Sequence, residues 1–168
     1  MSMRSFLAAF VVGLLLFGGC TPTTEPESTA QQLTMDELTR TPGFTWFVAE
    51  MSRFTPNAQL LPQIESAFTR TPSKKVCIFV KPTCSCRGTQ RLFPQVVKTL
   101  IEAKVPASSI EIWSMRSESD RHQYENTLKI TSLPAIFVIQ DGAVRDSVRD
   151  FDFNDSNADS LIARAVNR

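Results

Sequence analysis

Short strand-like runs alternate with helical stretches from residue 74 to the end of the chain. The run VCIFV (76–80) is continuous, apolar and rich in β-branched and aromatic residues, which is typical of a strand buried on both faces. A helical pattern over 87–103 follows it, and SIEIWSM (109–115) is a second strand-like run. Two strands joined through a helix, with a hairpin and a helix after them, predict an α/β sandwich around a central mixed sheet.

The elements after the second strand continue this order. A helix is expected over 118–129, and AIFVI (135–139) is expected to form a third strand. The segment AVRDSVRD (143–150) alternates apolar and polar residues, as an edge strand does. The last helix is expected to begin after Asn154 or Asp155, either of which is a suitable N-cap residue.

A helical N-terminal extension is predicted over 35–72, before the main domain over 73–168. Apolar residues recur in the extension at helical spacing, and they include Phe44, Phe47, Val48, Met51 and Phe54. Thr34 is expected to cap the first helix in a capping box with Glu37. The aromatic stripe is interpreted as core packing.

Composition excludes several classes of protein. The chain has 168 residues, of which 42% are hydrophobic and 21% charged, so it is long enough for one domain with its own core. These values do not fit a disordered protein or a multi-pass membrane protein. The net charge is +1, which gives no basic surplus for binding nucleic acid. The four cysteines are too few for a disulfide framework but enough for one reactive pair.

The first residues have the pattern of an export signal. Arg4 provides a positive charge, and the apolar run Phe6–Phe17 is too short to span a bilayer but fits the core of a signal peptide. The Gly-Gly-Cys sequence ending at Cys20 resembles a bacterial lipoprotein lipobox. That resemblance implies a signal peptide over 1–19, cleavage before Cys20 and a lipid on the Cys20 sulfur. Because Thr21 is not an Asp, the inner-membrane retention signal is absent, and a lipid-anchored, periplasm-facing place at the outer membrane is expected.

Residues 20–34 are predicted to be a flexible tether between the lipid and the folded domain. The segment 21–34 contains two prolines, five threonines and no aromatic residue. Such a composition cannot bury enough apolar surface to order itself. The resulting location in the bacterial cell envelope is a compartment that permits disulfides.

Cys84 and Cys86 lie where the buried strand passes into a helix. A thiolate at a helix N-terminus faces free backbone N–H groups, and the positive charges of Lys81 and Arg87 favour the thiolate further. Cα atoms two residues apart lie within about 5–7 Å, which overlaps the range a disulfide accepts, so the two sulfurs can join. Cys77, inside the buried strand, is interpreted as an inert core thiol.

From these features the stretch 74–167 resembles the thioredoxin-like family. Three parts carry the resemblance: VCIFV followed by KPTCSCRG, the stretch ITSLPAIFVIQDGAV, and the terminal amphipathic helix. The resemblance implies a thioredoxin-like three-layer α/β/α sandwich with a central mixed sheet. It also implies a thiol–disulfide oxidoreductase whose partners are protein thiols and disulfides of the envelope, with no cofactor beyond its own redox-active disulfide.

The same resemblance assigns roles to individual residues. It implies that Cys84 is the nucleophile and Cys86 the resolving thiol. It implies a cis bond between Leu133 and Pro134, with Pro134 packed against the disulfide as part of the catalytic site. Leu133 is expected to offer backbone groups to a substrate strand, and Thr83 to lie with it in the substrate-binding surface.

Two alternatives belong to other functional classes. Two thiolates one residue apart can hold a soft ion, so a Cu(I) chaperone using Cys84, Cys86 and the distant His122 is one of them. The other is a redox-inactive thioredoxin-like lipoprotein that acts only by binding. Copper carriage predicts that His122→Ala lowers Cu(I) affinity, whereas a binding module predicts that replacing both cysteines by serine leaves function intact.

Overall fold

A computed structural model describes residues 28–168. The strands and helices, in chain order, are β1 (Gln31–Leu33), α1 (Met35–Arg40), α2 (Phe47–Ser52), α3 (Leu61–Arg70), β2 (Lys75–Val80), α4 (Phe93–Glu102), β3 (Ile110–Ser114), β4 (Ala135–Gln140), β5 (Ala143–Val148) and α5 (Ala158–Val166). A π-helical turn, Gly88–Leu92, leads into α4, and a 3₁₀ turn, Asp150–Asp152, follows β5. The predicted signal peptide and Cys20 lie outside the described residues, and inside them no helix is long and apolar enough to cross a membrane.

The five strands form one mixed sheet in the order β1-β3-β2-β4-β5. β2 lies at its centre, parallel to β3 and antiparallel to β4, with Ile78 opposite both Ile112 and Ile136. β4 and β5 form an antiparallel hairpin, and β1 closes the other edge antiparallel to β3. The predicted α/β class and central mixed sheet are therefore confirmed.

The two faces of the sheet are covered differently. Side chains of β2 alternate, so that Val76, Ile78 and Val80 enter one hydrophobic cluster while Cys77 and Phe79 enter another. All five helices contribute buried residues to the first cluster. The second cluster receives residues from strands and from irregular chain, and none from a helix of the described residues. A layer of helices on each face, as the three-layer sandwich requires, is therefore not present in residues 28–168.

The prediction of a helix over 118–129 is wrong. Such a helix would have covered the second face of the sheet. The segment consists of turns held by polar side chains. The Asp120 carboxylate accepts hydrogen bonds from the Arg116 amide at 2.7 Å and from the hydroxyls of Ser28 and Ser117. His122 Nδ1 accepts the Tyr124 amide at 3.2 Å. Short polar side chains that bind nearby backbone groups compete with the helical hydrogen bonds, which explains the irregular path.

The N-terminal boundary also needs correction. Residues 31–33, predicted as part of the tether, form β1, because Leu33 is buried and its backbone pairs with Ile112. Thr34 makes the expected capping box with Glu37. The helices after it pack into the main core, where Leu38, Phe47 and Ile64 share one cluster with β2.

The start of α5 differs from its prediction as well. Asn157, and not Asn154 or Asp155, is the N-cap residue, and its side chain makes no capping bond to the helix. The Asn157 amide oxygen instead accepts the Asn154 N–H at 3.0 Å. The Asp155 carboxylate binds Arg91 at 3.2 Å, so a contact with a distant segment replaces the local cap.

Candidate dithiol site

Cys84 and Cys86 are joined by a disulfide in the loop between β2 and the π-helical turn. Their Cα atoms are 5.3 Å apart. The Cys84 amide donates to the Lys81 carbonyl at 3.1 Å, and the Cys86 amide donates to the Cys84 sulfur at 3.2 Å. Both side chains are half-buried, while Thr83 and Ser85 beside them are exposed. A backbone N–H aimed at Cys84 Sγ stabilises negative charge there when the bond is reduced.

A second segment of the chain completes the site. Cys86 Sγ lies 3.2 Å from Thr89 Oγ1 and 3.9 Å from the Leu133 carbonyl oxygen. The Leu133–Pro134 bond is cis, as the sequence resemblance implies. Leu133 is half-buried and Pro134 buried. The structure therefore brings Leu133 to the cysteine pair and Pro134 to Gly88 beside it, whereas Thr83 is exposed.

Gly88 is where the two segments come closest. A Cβ on Gly88 would lie 2.5 Å from Asp150 Oδ1 and 2.8 Å from Pro134 Cδ, so no larger residue fits without displacement. Asp150 Oδ1 is buried and has no hydrogen-bond partner within residues 28–168. Sequence reasoning missed Asp150, because the segment 143–150 was interpreted only as an edge strand and nothing local indicates a contact with the cysteine loop.

The Arg87 side chain contacts the segment before α5. Its guanidinium donates to the Phe153 carbonyl at 2.7 Å and lies 3.7 Å from an Asp155 carboxylate oxygen and 5.4 Å from the Phe153 ring centre. These contacts turn its charge toward the loop before α5 and offset it with a carboxylate. Lys81, at the start of the cysteine loop, is exposed.

A shallow pocket of about 400 Å³ opens beside Pro134, at the start of β4 and the end of β5. Its lining combines apolar, hydroxyl and basic residues: Lys129, Ser132, Pro134, Phe137, Arg149 and Phe151 are among them. Phe151 is 74% exposed, and the Arg149 guanidinium lies 4.3 Å from its ring centre. An exposed aromatic beside a groove is a suitable contact for a protein substrate.

A larger cavity, of about 650 Å³, lies near β1 and the end of α4. Its lining has no charged residue and no cysteine, and consists of Gln32, Leu33, Thr34, Met35, Ile101, Val105, Ala107, Ile110 and Ile112. It offers no ionisable side chain, so we place the candidate chemistry at the cysteine pair.

Cys77 is a free thiol with no exposed surface, as expected of a core residue. Burial, with the nearby Glu111 carboxylate, raises the pKa of the Cys77 thiol to about 12. Glu111 is 5% exposed and accepts hydrogen bonds from Lys75 at 2.6 Å and from the Tyr124 hydroxyl at 2.7 Å. Burial acts to raise the pKa of Glu111, but these bonds and the Lys75 charge outweigh it and hold the pKa below 4.5. Sequence reasoning missed this carboxylate, whose partners are distant in sequence.

His122, the third member of the suggested copper site, lies in the irregular segment with its ring 4.9 Å from that of Phe79. Burial lowers the pKa of His122 below 6.5. Within residues 28–168, no group of three or more His, Cys, Asp or Glu side chains is placed to hold a metal ion, so the structure does not bring His122 together with Cys84 and Cys86 in this way.

The arrangement suits sulfur chemistry. The disulfide is half-buried, and its neighbour Thr83 is exposed to solvent. The Cys86 sulfur also contacts the Leu133 carbonyl oxygen. After reduction, the Cys86 thiol can donate to that carbonyl, and the Cys84 thiolate can accept the Cys86 N–H.

No protein-family model, curated protein or solved structure matches this chain.

Proposed function

We propose that this protein is a thiol–disulfide oxidoreductase of the bacterial cell envelope, held to the membrane by a lipid on Cys20. The observation that carries the proposal is the Cys84–Cys86 disulfide, which lies at the end of the central strand with Cys86 Sγ 3.9 Å from the Leu133 carbonyl. A half-buried pair of cysteines beside a second backbone segment is a suitable exchange site. A substrate bound there could react with the sulfurs and form hydrogen bonds with the nearby backbone.

The strand order supports a thioredoxin-like fold as part of this proposal. β2 and β3 are parallel and joined through α4, β4 and β5 form a hairpin, and α5 ends the chain. The cysteines follow β2, and the Leu133–Pro134 segment comes directly before β4, so both lie at one end of the sheet. The family arrangement that the sequence resembles has the same two segments in the same places.

The chemistry follows from thiolate exchange. The Cys84 thiolate attacks one sulfur of a substrate disulfide, and the other substrate sulfur leaves with the electron pair as a thiolate. The Cys86 thiolate then attacks Cys84 Sγ, the Cys84–Cys86 bond forms, and the second substrate sulfur leaves as a thiolate. The protein loses two electrons and the substrate gains them; in the opposite direction the same steps oxidise a substrate dithiol.

The envelope location rests on the export pattern of the first twenty residues and on the compartment chemistry. Arg4, the apolar run Phe6–Phe17 and Cys20 fit a lipoprotein signal. Disulfides form and persist in the envelope, so a reversible Cys84–Cys86 bond has substrates there.

A redox titration tests the proposal. The full chain carrying Cys20→Ser is equilibrated in glutathione buffers of graded potential, quenched with acid and alkylated, and the state of each cysteine is measured by mass spectrometry. We expect Cys84 and Cys86 to titrate together as a two-electron pair, at a potential between those of strong envelope oxidants and thioredoxin, roughly −120 to −270 mV. Cysteines that remain reduced and independent in every buffer contradict the proposal, as does unchanged function after both are replaced by serine.

A further inference from the structure

The turn between α1 and α2 packs directly against the start of the cysteine loop. Gly43, in this turn, has a φ of +95°. A Cβ on Gly43 would lie 2.9 Å from Pro82 Cβ and 3.2 Å from the carbonyl carbon and oxygen of Pro82. Pro82 precedes Cys84 by two residues. Glycine therefore suits position 43 for two reasons, its left-handed backbone and the close approach of the cysteine loop.

The turn is also anchored to the core. The Trp46 indole N–H donates to the Gly43 carbonyl at 2.8 Å. The next side chain after Gly43, that of Phe44, is buried, and its ring centre lies 6.1 Å from that of Phe93. A turn held by a buried aromatic ring has little room to move away from a neighbour, because protein interiors are close-packed. A tighter contact at Gly43 therefore displaces Pro82.

The same part of the chain contacts the segment that follows the cysteines. Phe93 begins α4 directly after the π-helical turn Gly88–Leu92, and its ring centre lies 4.9 Å from that of Phe47 in α2. Both rings are fully buried. The segment around α2 thus packs against the chain on both sides of the cysteine pair, at Pro82 before it and at Phe93 after it.

We propose that the turn between α1 and α2 is a positioning element that stabilises the Cys84–Cys86 disulfide relative to the dithiol, through the contact of Gly43 with Pro82. This inference rests on the proposed function and gives a role in it to the segment predicted as an N-terminal extension. The disulfide joins residues two apart in sequence, so it confines the loop around it. The reduced loop has lost this constraint and can adjust. A contact that fits the confined loop therefore favours the disulfide.

Equilibrium with glutathione tests this role. Oxidised glutathione takes two electrons and two protons from the dithiol and leaves as two thiols, while the Cys84–Cys86 bond forms. The full chain carrying Cys20→Ser is equilibrated with graded mixtures of reduced and oxidised glutathione and quenched with acid. The fraction of the disulfide is then measured by alkylation and mass spectrometry, and it gives the equilibrium constant for disulfide formation.

We expect Gly43→Ala to lower this equilibrium constant by about fivefold or more, the low end of the coupling between two linked sites. The physical reason is that the new Cβ displaces Pro82 in the confined loop. Gly142→Ala is the matched control, because Gly142 also has a positive φ, of +77°, but a Cβ there meets nothing within 4 Å. This control should leave the equilibrium constant unchanged.

Two further variants separate positioning from general destabilisation. A substitution that destabilises the oxidised and reduced forms equally leaves the equilibrium with glutathione unchanged, whereas urea unfolding of Gly43→Ala should show the larger loss in the oxidised form. Pro82→Gly removes the Pro82 Cβ, so Gly43→Ala should have a smaller effect in that background. Trp46→Phe removes the donor to the Gly43 carbonyl without adding a clash, and it should lower the equilibrium constant to a smaller extent.

The outcomes distinguish this inference from the proposed function. An equilibrium constant that folded Gly43→Ala leaves unchanged, or shifts toward the disulfide, overturns the inference. Far-UV circular dichroism establishes folding, and if Gly43→Ala does not fold, an unchanged constant in Trp46→Phe overturns the inference in its place. A wild type whose Cys84 and Cys86 form no disulfide with glutathione is a different failure, because it contradicts the proposed exchange function itself.

Discussion

The Cys86 sulfur and the Leu133 carbonyl oxygen are 3.9 Å apart, although 47 residues separate them in the chain. Strand pairing explains the contact, because β2 ends where the cysteine loop begins and the antiparallel β4 starts directly beside it, with Phe79 opposite Ala135. The paired ends of β2 and β4 thus bring the two cysteine sulfurs close to the Leu133 backbone carbonyl. This proximity underlies the proposed exchange chemistry.

Cys86→Ser should trap substrates. If Cys84 attacks first, removal of Cys86 leaves the mixed disulfide at Cys84 without a thiol to resolve it. We expect mixed disulfides between Cys84 and substrate proteins to accumulate in cells that produce the Cys86→Ser variant. These complexes should be visible on non-reducing gels and absent from gels run with a reductant. The matched variant Cys84→Ser should trap few or none. Equal trapping by the two variants would contradict the assignment of Cys84 as nucleophile.

Gly88→Ala should destabilise the fold through a steric contact. The new Cβ would meet Asp150 Oδ1 at 2.5 Å and Pro134 Cδ at 2.8 Å. Overpacking of this kind costs about 1–3 kcal/mol of unfolding free energy, measured by urea denaturation. The cost should shrink when Asp150→Ala is added, because that change removes one of the two clashing groups.

Gly142 provides the matched comparison for Gly88. A Cβ there meets nothing within 4 Å, but its φ of +77° disfavours a side chain. Gly142→Ala should therefore cost about 1 kcal/mol from the backbone alone, independently of Asp150. A Gly88→Ala variant as stable as the wild type would contradict the close packing of Asp150 and Pro134 against Gly88.

Cys77 should resist alkylation in the folded protein. Burial raises the pKa of its thiol to about 12, and the side chain has no exposed surface. At neutral pH a thiol of this kind has almost no thiolate to react. We expect iodoacetamide to modify the reduced Cys84 and Cys86 within minutes and Cys77 only after denaturation, as followed by mass spectrometry. Modification of Cys77 at the rate of Cys84 would show that the second cluster opens readily.

Glu111 should contribute to stability above its unfolded pKa and lose that contribution in acid. Its pKa is held below 4.5 by hydrogen bonds from Lys75 and Tyr124 and by the Lys75 charge, against the opposing effect of burial. A carboxylate with a lowered folded pKa adds stability that is fully present above the unfolded pKa and is lost as pH falls through the folded value. The wild type should therefore become less stable as pH falls below about 4.5.

Glu111→Gln tests this dependence. It should cost about 1–3 kcal/mol at neutral pH, because the charge-assisted bonds to Lys75 are lost. It should also flatten the acid limb of stability against pH, measured by urea unfolding at several pH values. The exposed Glu65→Gln is the control and should change stability by less than about 0.5 kcal/mol. A Glu111→Gln curve parallel to that of the wild type would contradict the assigned network.

Phe151→Ser should weaken reaction with protein substrates and leave reaction with small disulfides unchanged. The side chain is 74% exposed beside the pocket next to Pro134. Covering part of a phenyl ring contributes on the order of 1.4 kcal/mol, which corresponds to about tenfold in kcat/KM. The comparison uses a disulfide-bonded protein and a small aromatic disulfide with the same variant. Equal effects on both substrates would show that Phe151 supports the site and does not contact the partner.

Local pattern was enough to predict the central strands. The runs at 76–80 and 135–139 are apolar throughout, and they form the two buried strands that pair with each other. The capping box at Thr34 is also local, since both partners lie within one turn. Position in the chain likewise indicated the cysteine pair, because a strand-to-helix junction is visible in sequence.

The failures share a physical cause, which is dependence on distant partners. Asp120 binds Ser28, 92 residues away, and this contact helps to hold the 118–129 segment out of a helix. Leu33 becomes part of β1 only because β3 offers it an open edge. Asp150 approaches Gly88 through the sheet and the turn after it. None of these partners is visible in a window of neighbouring residues.

The direction of β1 decides at which end of the sheet the chain enters the fold. Gln31 pairs with Ser114, and Ser114 also pairs with Val80, so the chain enters the sheet at the end from which the cysteine loop leaves. Eight residue steps separate Cys20 from Ser28, a reach of at most about 30 Å. If Cys20 carries the proposed lipid, the chain would enter the fold from the bilayer at the end of the sheet that holds the Cys84–Cys86 pair. We would then expect partners at the membrane surface to be within reach of the disulfide.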